Sequence, residues 1–515
     1  MRKRLMGIVS AVVAGSAVLI TTGAHALAAE PAAPPAPSAE RIDALPAPFA
    51  DWNVSLSPKV DEPGALLLSY DSPALGQRSD NTVYLPTSYS ETGAKSPTLY
   101  YLHGTVVSAL DNPVTDPVAA QESLLEMVGS GGGDKQTKLQ GFAEQRDQAQ
   151  FVVVAPDTNA QNSWCESCLW IDGQRDLLPE APPVTAKTVP AETVLYQELI
   201  PLTEQVLNVR TDRGGRGISG FSMGAVGALI QAFRHPDRFA YTAAISGPYD
   251  FVDDTFWRNW VDVVGYMRDQ GYGVSVTDLP RWRNFNPADL VGNFAGSGSP
   301  LMISAGDVCA PPTDAAGAED CADDPALRNP AASLIESQMR RNNDEHIADI
   351  ANAGVEAKQV RYSGIHGAYN HRIYPEVIVP GANAAFAAEP VTTDSFGYRT
   401  QDRTFSVWGY DVAAEHTDTQ FLALENARHD GHAFSLRGTG VVDALTPASF
   451  TAGQTYRVSY SSAAGQNRTE DLTADPQGRL RLDVDLDDPA YATKADALAL
   501  FGHAPGYARI EVTQA

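Results

Sequence analysis

The sequence predicts an α/β domain built on a mostly parallel central sheet over residues 55–388, followed by a separate all-β sandwich over residues 391–515. Three observations carry that prediction. Short apolar runs alternate with helical stretches as far as about residue 385, the rhythm of strands joined by crossover helices. After Pro390 the helical stretches stop and short strand-like runs follow one another. With 43 % hydrophobic and 19 % charged residues among 515, the chain has apolar content for a large core and length for two or three domains.

Taken in order, residues 1–29 read as a secretory signal peptide. Arg2, Lys3 and Arg4 precede an apolar stretch from Leu5 to Ile20, and Ala24-His25-Ala26 and Ala26-Leu27-Ala28 offer small-residue cleavage patterns. The alternative, an uncleaved membrane anchor, would use a stretch barely long enough to span. The protein is therefore expected to be secreted, in the extracellular space or the cell envelope. Residues 30–54, with Pro31, Pro34, Pro35, Pro37, Pro46 and Pro48, read as an extended Pro/Ala-rich linker. The strands expected next are Thr82–Leu85, Thr98–Leu102, Phe151–Ala155, Gly217–Ser219, Thr242–Ser246, Leu301–Ser304 and Lys358–Tyr362, with helices over Val194–Leu207, Met223–Arg234 and Ala332–Ala353. In the C-terminal part, Phe405–Tyr410, Phe421–Leu424, Tyr456–Tyr460, Leu480–Leu486 and Arg509–Val512 are the strand candidates. The run Leu480-Arg-Leu-Asp-Val-Asp-Leu486 alternates strictly, as a strand with one buried face does.

Lys and Arg number 37 against 63 Asp and Glu, a formal charge of −26. That balance argues against a nucleic-acid partner, which needs a basic footprint to displace phosphate counterions. In an oxidising compartment the four cysteines pair most simply as Cys165–Cys168 and Cys309–Cys321, and a redox C-x-x-C site lacks the surrounding βαβ pattern. His429-Asp430-Gly431-His432 has no evident further ligand and reads as a surface turn rather than a metal site. No metal and no cofactor is expected.

The chemistry is concentrated at Gly220-Phe-Ser222-Met-Gly224, a G-x-S-x-G pattern that follows a candidate strand and opens a candidate helix. A sharp strand-to-helix bend lifts the Ser222 hydroxyl above the sheet, and glycines on either side let the backbone fold tightly. The helix N-terminus then lies under the oxyanion that develops in acyl transfer. The strand Thr98–Leu102 ends in His103-Gly104-Thr105, where a second donor loop belongs, so the backbone N–H groups of Thr105 and Met223 are the expected oxyanion donors. Chain order then calls for an acid and a histidine. His366, in the loop just after a strand, is the candidate base, with His371 its rival; Asp307, directly after Leu301–Ser304, is the acid that placement at a strand end suggests.

The segments Val83-Tyr-Leu-Pro86, Leu102-His-Gly104, Val153-Val-Ala-Pro-Asp157, Glu198-Leu-Ile-Pro201, Gly220-Phe-Ser-Met-Gly224 and Ile245-Ser-Gly247 occur in that order. Together they resemble the esterase D family of α/β hydrolases, most of all its antigen 85 type mycolyltransferase branch. Trp282-Arg-Asn-Phe-Asn-Pro287 and Ile303-Ser-Ala-Gly306 are similar to that branch too, and the resemblance covers roughly residues 65–385. It implies an α/β-hydrolase fold and a Ser-His-acid triad in which Glu336, in Leu334-Ile-Glu-Ser-Gln-Met, takes the acid's place rather than Asp307, with Gly364-Ile-His366 matching the family's Gly-Thr-His. The sequence departs from the branch at His103-Gly104-Thr105-Val106 and at Gly364-Ile-His-Gly-Ala368, both beside the substrate pocket.

The expected function is a secreted serine esterase working through an acyl-enzyme on carboxylic esters, with envelope glycolipids as candidate substrates. A mycolyltransferase-like enzyme moving acyl chains to a sugar hydroxyl is the alternative. A non-catalytic envelope or carbohydrate-binding protein is a third reading, in which the C-terminal domain contacts cell-envelope glycan.

Overall fold

The structure is a computed structural model. It describes residues 40–515 apart from 43–44, 60–61, 63, 106–140, 157–163, 166–167, 174–188, 269–272, 274, 308–329, 365, 368, 389–390, 416–419, 464, 466, 492 and 494–504.

Ten strands form one sheet: β1 (Glu40–Arg41), β2 (Ser55–Pro58), β3 (Ala65–Ser72), β4 (Gln77–Tyr84), β5 (Thr98–Leu102), β6 (Val152–Pro156), β7 (Arg216–Phe221), β8 (Tyr241–Ile245), β9 (Leu301–Asp307) and β10 (Ala357–Ser363). Their spatial order is β1-β2-β3-β4-β6-β5-β7-β8-β9-β10. The first four and the β4–β6 pair are antiparallel; from β6 through β10 every pair is parallel. The β5, β6 and β8 residues are buried throughout, which is why these strands read as continuous apolar runs rather than alternating ones. This is an α/β-hydrolase architecture, with the order reversal at β5–β6 beside the strand that leads into Ser222.

Helices around the sheet include α1 (Met223–Arg234), α2 (Thr255–Arg268), α3 (Pro287–Phe294) and α4 (Pro330–Asn352). Every residue of α1 is buried. It lies between the sheet and α3, where Phe233 meets Phe294 at 5.3 Å between ring centroids, and a helix apolar but for Gln231 and Arg234 suits such an interior position.

Residues 395–514 form two antiparallel sheets. The larger comprises β11 (Ser395–Thr400), β14 (Leu422–Arg428), β15 (Ala433–Gly438), β20 (Gly506–Gln514), β17 (Thr455–Ser462) and β18 (Asn467–Thr473) in that order; the smaller comprises β12 (Thr404–Val407), β13 (Tyr410–Glu415), β16 (Val441–Leu445) and β19 (Arg481–Asp485). Residues from both, among them Tyr398, Tyr410, Leu436, Val458, Leu482 and Ile510, share one apolar core. In β19 the buried positions alternate with exposed ones, as the sequence pattern requires.

Two readings need correction. Phe405–Tyr410 is not one strand. Trp408 and Gly409 both take positive φ (49° and 85°), closing a two-residue hairpin between β12 and β13 whose twist suits the strands. The expected linker over 30–54 differs in its described part: Phe49, Trp52 and Val54 are buried, and Trp52 stacks on Tyr70 of β3 at 5.8 Å. Aromatic side chains among the prolines give this stretch apolar area to bury, and the core takes it.

Candidate active site

Ser222 sits where β7 ends and α1 begins, with φ 56° and ψ −118°, a conformation rarely adopted by a residue with a Cβ. Its N–H donates to Ile245 O at 2.8 Å, and its own carbonyl accepts from Ala225 and Val226, so the bend is held on both sides. The flanking glycines are required by close approach. A Cβ on Gly224 would collide with Leu102 O and lie 2.6 Å from His103 O; one on Gly220 would lie 2.8 Å from Leu102 O. The turn is thus pressed against the end of β5, and the chain that leads to Thr105 N–H lies beside the start of α1, whose first amide is that of Met223. The Met223 amide is one of those an α-helix leaves unbonded at its N-terminus.

His366 follows β10 and faces the bend. Its Nε2 lies 2.9 Å from Ser222 Oγ, and its Nδ1 lies 2.7 Å from Glu336 Oε2. Phe221 packs on the imidazole at 4.7 Å between ring centroids. Ser222, His366 and Glu336 therefore form one hydrogen-bonded line, brought together over 144 residues between Ser222 and His366 and 30 between Glu336 and His366. Exposure is 7 % at Ser222, 2 % at His366 and 0 % at Glu336, so the hydroxyl is more enclosed than a serine merely lifted above a sheet. In such surroundings charge interactions are weakly screened.

Glu336 lies in the first third of α4, which packs across β9. Burial pushes its carboxyl up. The hydrogen bond and charge of His366, the Gly306 amide and the Ser246 hydroxyl outweigh that and hold it below the usual carboxylate range. Glu336 is thus an anion where an imidazolium would need one. Asp307, the strand-end alternative, closes β9 opposite Ser363, and its side chain lies outside the described residues. His371 is exposed, on the short helix Asn370–Ile373.

His103 is buried, with Nδ1 2.7 Å from Gly104 O. It meets Trp170 edge to face at 5.0 Å, and the Trp170 indole N–H donates to His103 O at 3.2 Å. Trp170 also lies across α1, where only glycine at 227 leaves room for its ring, and its carbonyl accepts from Gln231 Nε2 at 2.6 Å. Cys165 and Cys168 form a disulfide in the loop that carries this tryptophan. Cys309 and Cys321 lie outside the described residues. His429 and His432 belong to the β14–β15 turn, His429 packed on Trp408 and Phe396 and His432 on Phe450.

The far end of α1 meets the C-terminal sheets. Arg234 bonds Glu192 at 3.2 Å and Asp402 at 2.9 Å, and Tyr398 OH donates to Arg234 O at 2.9 Å. Sequence reasoning assigned no role to Ser246, Tyr369, Gly306 or Trp170. For Ser246 and Gly306 the signals were their places in Ile245-Ser-Gly247 and Ile303-Ser-Ala-Gly306; for Tyr369 and Trp170 nothing local pointed to the site.

The model of the family described as "Putative esterase" matches residues 72–368. Esterase Rv1288 of Mycobacterium tuberculosis (strain ATCC 25618 / H37Rv) is 23 % identical over 244 residues, 45 % of this chain and 44 % of that protein, so the match spans less than half the length of this curated relative. Among solved structures, an S-formylglutathione hydrolase from Agrobacterium tumefaciens is 16 % identical, covering 64 % of this chain and 98 % of that one, with a TM-score of 0.39. MPT51 (FbpC1) of Mycobacterium tuberculosis is 16 % identical, covering 62 % and 96 %, with a TM-score of 0.38.

Proposed function

The chain belongs to the esterase family, and on that premise we propose that it is a serine ester hydrolase acting through an acyl-enzyme, with Ser222 as nucleophile, His366 as base and Glu336 as acid. The observation that carries the reading is the continuous line from Ser222 Oγ through the His366 ring to the Glu336 carboxylate, at 2.9 and 2.7 Å. In that line His366 Nε2 takes the Ser222 proton as Oγ attacks the ester carbonyl. The carboxylate fixes the tautomer with hydrogen on Nδ1 and steadies the cation that forms. The Thr105 and Met223 amides receive the oxyanion, whose collapse expels the alcohol with the proton returned from His366. Water, activated by the same imidazole, attacks the acyl-enzyme; the acid leaves and Ser222 Oγ recovers its proton.

The protein works outside the cytoplasm. The leader-like residues 1–29 and the Cys165–Cys168 disulfide support this, since such bridges persist where thiols are oxidised. Its ester substrates include envelope glycolipids, in keeping with the motif resemblance to antigen 85 type enzymes. The test is hydrolysis of p-nitrophenyl esters from acetate to palmitate by wild type and Ser222→Ala. Ser222-dependent release of nitrophenol is expected, and the chain-length profile reads the acyl preference. Equal hydrolysis by both proteins would overturn the proposal. A sugar acceptor added to the same assay measures acyl transfer as esterified sugar.

A further inference from the structure

The Glu336 carboxylate uses one oxygen for His366, and its other oxygen is surrounded. Oε1 accepts from Ser246 Oγ at 2.7 Å, from Tyr369 OH at 3.0 Å and from the Gly306 N–H. Ser246 Oγ and Tyr369 OH also touch each other. Ser246, Tyr369 and Glu336 are each 0 % exposed, so these bonds form out of reach of solvent.

The fold goes to some length to assemble this group. Ser246 takes φ 52° at the end of β8, a left-handed conformation that side chains seldom adopt, and its N–H is tied to Ser304 O at 2.9 Å. From this backbone conformation the Ser246 hydroxyl reaches the Glu336 carboxylate. Tyr369 stacks on Tyr362 at 5.6 Å with 11° between the rings, which fixes where its hydroxyl falls. Gly306 has no room for a side chain: a Cβ there would lie 3.0 Å from both Glu336 Cγ and Tyr369 Cε1. Three elements (the end of β8, β9 and the segment after His366) thus converge on one oxygen atom.

We propose that Ser246 and Tyr369 are positioning residues that hold the Glu336 carboxylate in plane and ionised, so that only its Oε2 is presented to His366. The inference rests on the proposed triad and deepens it. Neither residue touches the reacting atoms; both act through Glu336. Donors on Oε1 draw negative charge away from Oε2 and oppose proton uptake by the Glu336–His366 pair. Removing one leaves a more basic pair, and the acid limb of kcat/KM moves to higher pH, wherever in the pair the proton resides. The groups that face the carboxylate are His366, Tyr369, Ser246 and the Gly306 amide.

The experiment compares wild type with Tyr369→Phe, which keeps the ring on Tyr362, and with the double change Ser246→Ala/Tyr369→Phe. Tyr369→Phe is expected to lower kcat roughly tenfold with KM unchanged and to raise the acid limb by about half a pH unit; the double variant goes further in both. An acid limb that stays in place in Tyr369→Phe overturns the inference even if kcat falls, because loss of packing alone does not move it. Titration of the His366 ring by NMR, assigned with His366→Gln, supplies a reading that needs no turnover. An upward move of that titration in Tyr369→Phe supports the inference even where the esterase assay fails, and an unmoved one overturns it. Failure of Ser222-dependent hydrolysis in wild type bears instead on the proposed function.

Discussion

Replacing Glu336 by glutamine changes no volume and removes one charge, and the surrounding hydrogen bonds decide its effect. Three donors (the Gly306 amide, Ser246 and Tyr369) converge on Oε1. A glutamine placed there turns its carbonyl oxygen toward them, because its NH2 group would meet the Gly306 N–H, which can only donate, and would leave both hydroxyl protons to find another acceptor. The NH2 group then faces His366 Nδ1, which in wild type lies 2.7 Å from an acceptor. Nδ1 becomes the acceptor and the ring proton moves to Nε2, the atom that must take the proton of Ser222 Oγ at 2.9 Å. The variant holds the wrong tautomer and lacks the anion that steadies the imidazolium. For such a change kcat falls by about 10⁴, or roughly 5 kcal/mol of transition-state stabilisation. KM stays near its wild-type value, since Glu336 is fully buried and distant from bound ester by the length of the imidazole. Steady-state hydrolysis of p-nitrophenyl butyrate for Glu336→Gln, with a calorimetric check that the fold persists, measures the loss. A fall in kcat of less than tenfold in a folded variant refutes this reasoning.

Three further changes test the frame around the site. Gly224→Ala drives a Cβ into the backbone of Leu102 and His103, which cannot move without shifting β5, so the variant should lose hydrolysis by at least about a hundredfold or fail to fold; near-normal kcat would contradict the contact. Glu192, half-buried beside Arg234 and His235, is pushed up by burial but pulled down further by the Arg234 charge and by hydrogen bonds with His235 and Arg234, to about 2. A depressed carboxylate gives stability present above its unfolded value of about 4.3 and lost as pH falls through its folded value. Glu192→Gln should therefore cost about 3 kcal/mol at pH 7, and the gap in calorimetric unfolding should narrow from pH 4.5 toward pH 2; a gap independent of pH would count against the assignment. Replacing Cys165 and Cys168 by serine opens a loop of only four residues and should lower stability by about 2 kcal/mol in urea unfolding, with a loss above about 5 kcal/mol inconsistent with so short a closure.

What the sequence made legible follows from how local each signal is. The proposed nucleophile could be read because the strand, the glycines and the helix that create the bend at Ser222 are contiguous. His366 was legible from its place directly after a strand. The proposed acid was not legible from spacing alone, since it depends on which face of α4 meets β9, a tertiary fact; strand-end logic pointed to Asp307, and only motif resemblance pointed to Glu336. Ser246 and Tyr369 act through a carboxylate whose position the local sequence does not reveal. Composition misled at residues 30–54, where prolines outnumber aromatics but Phe49 and Trp52 decide the outcome by burial. Trp408 likewise hid a turn, because tryptophan carries no turn signal and its positive φ is imposed by the hairpin it closes with Gly409.

The most direct test of the account is covalent. A fluorophosphonate probe captures only a serine whose hydroxyl is activated by a neighbouring base, and peptide mass spectrometry locates the adduct. The account predicts stoichiometric labelling of wild type at Ser222 and none in folded His366→Ala. A folded wild-type protein that stays unlabelled, or carries the adduct on another residue, contradicts it.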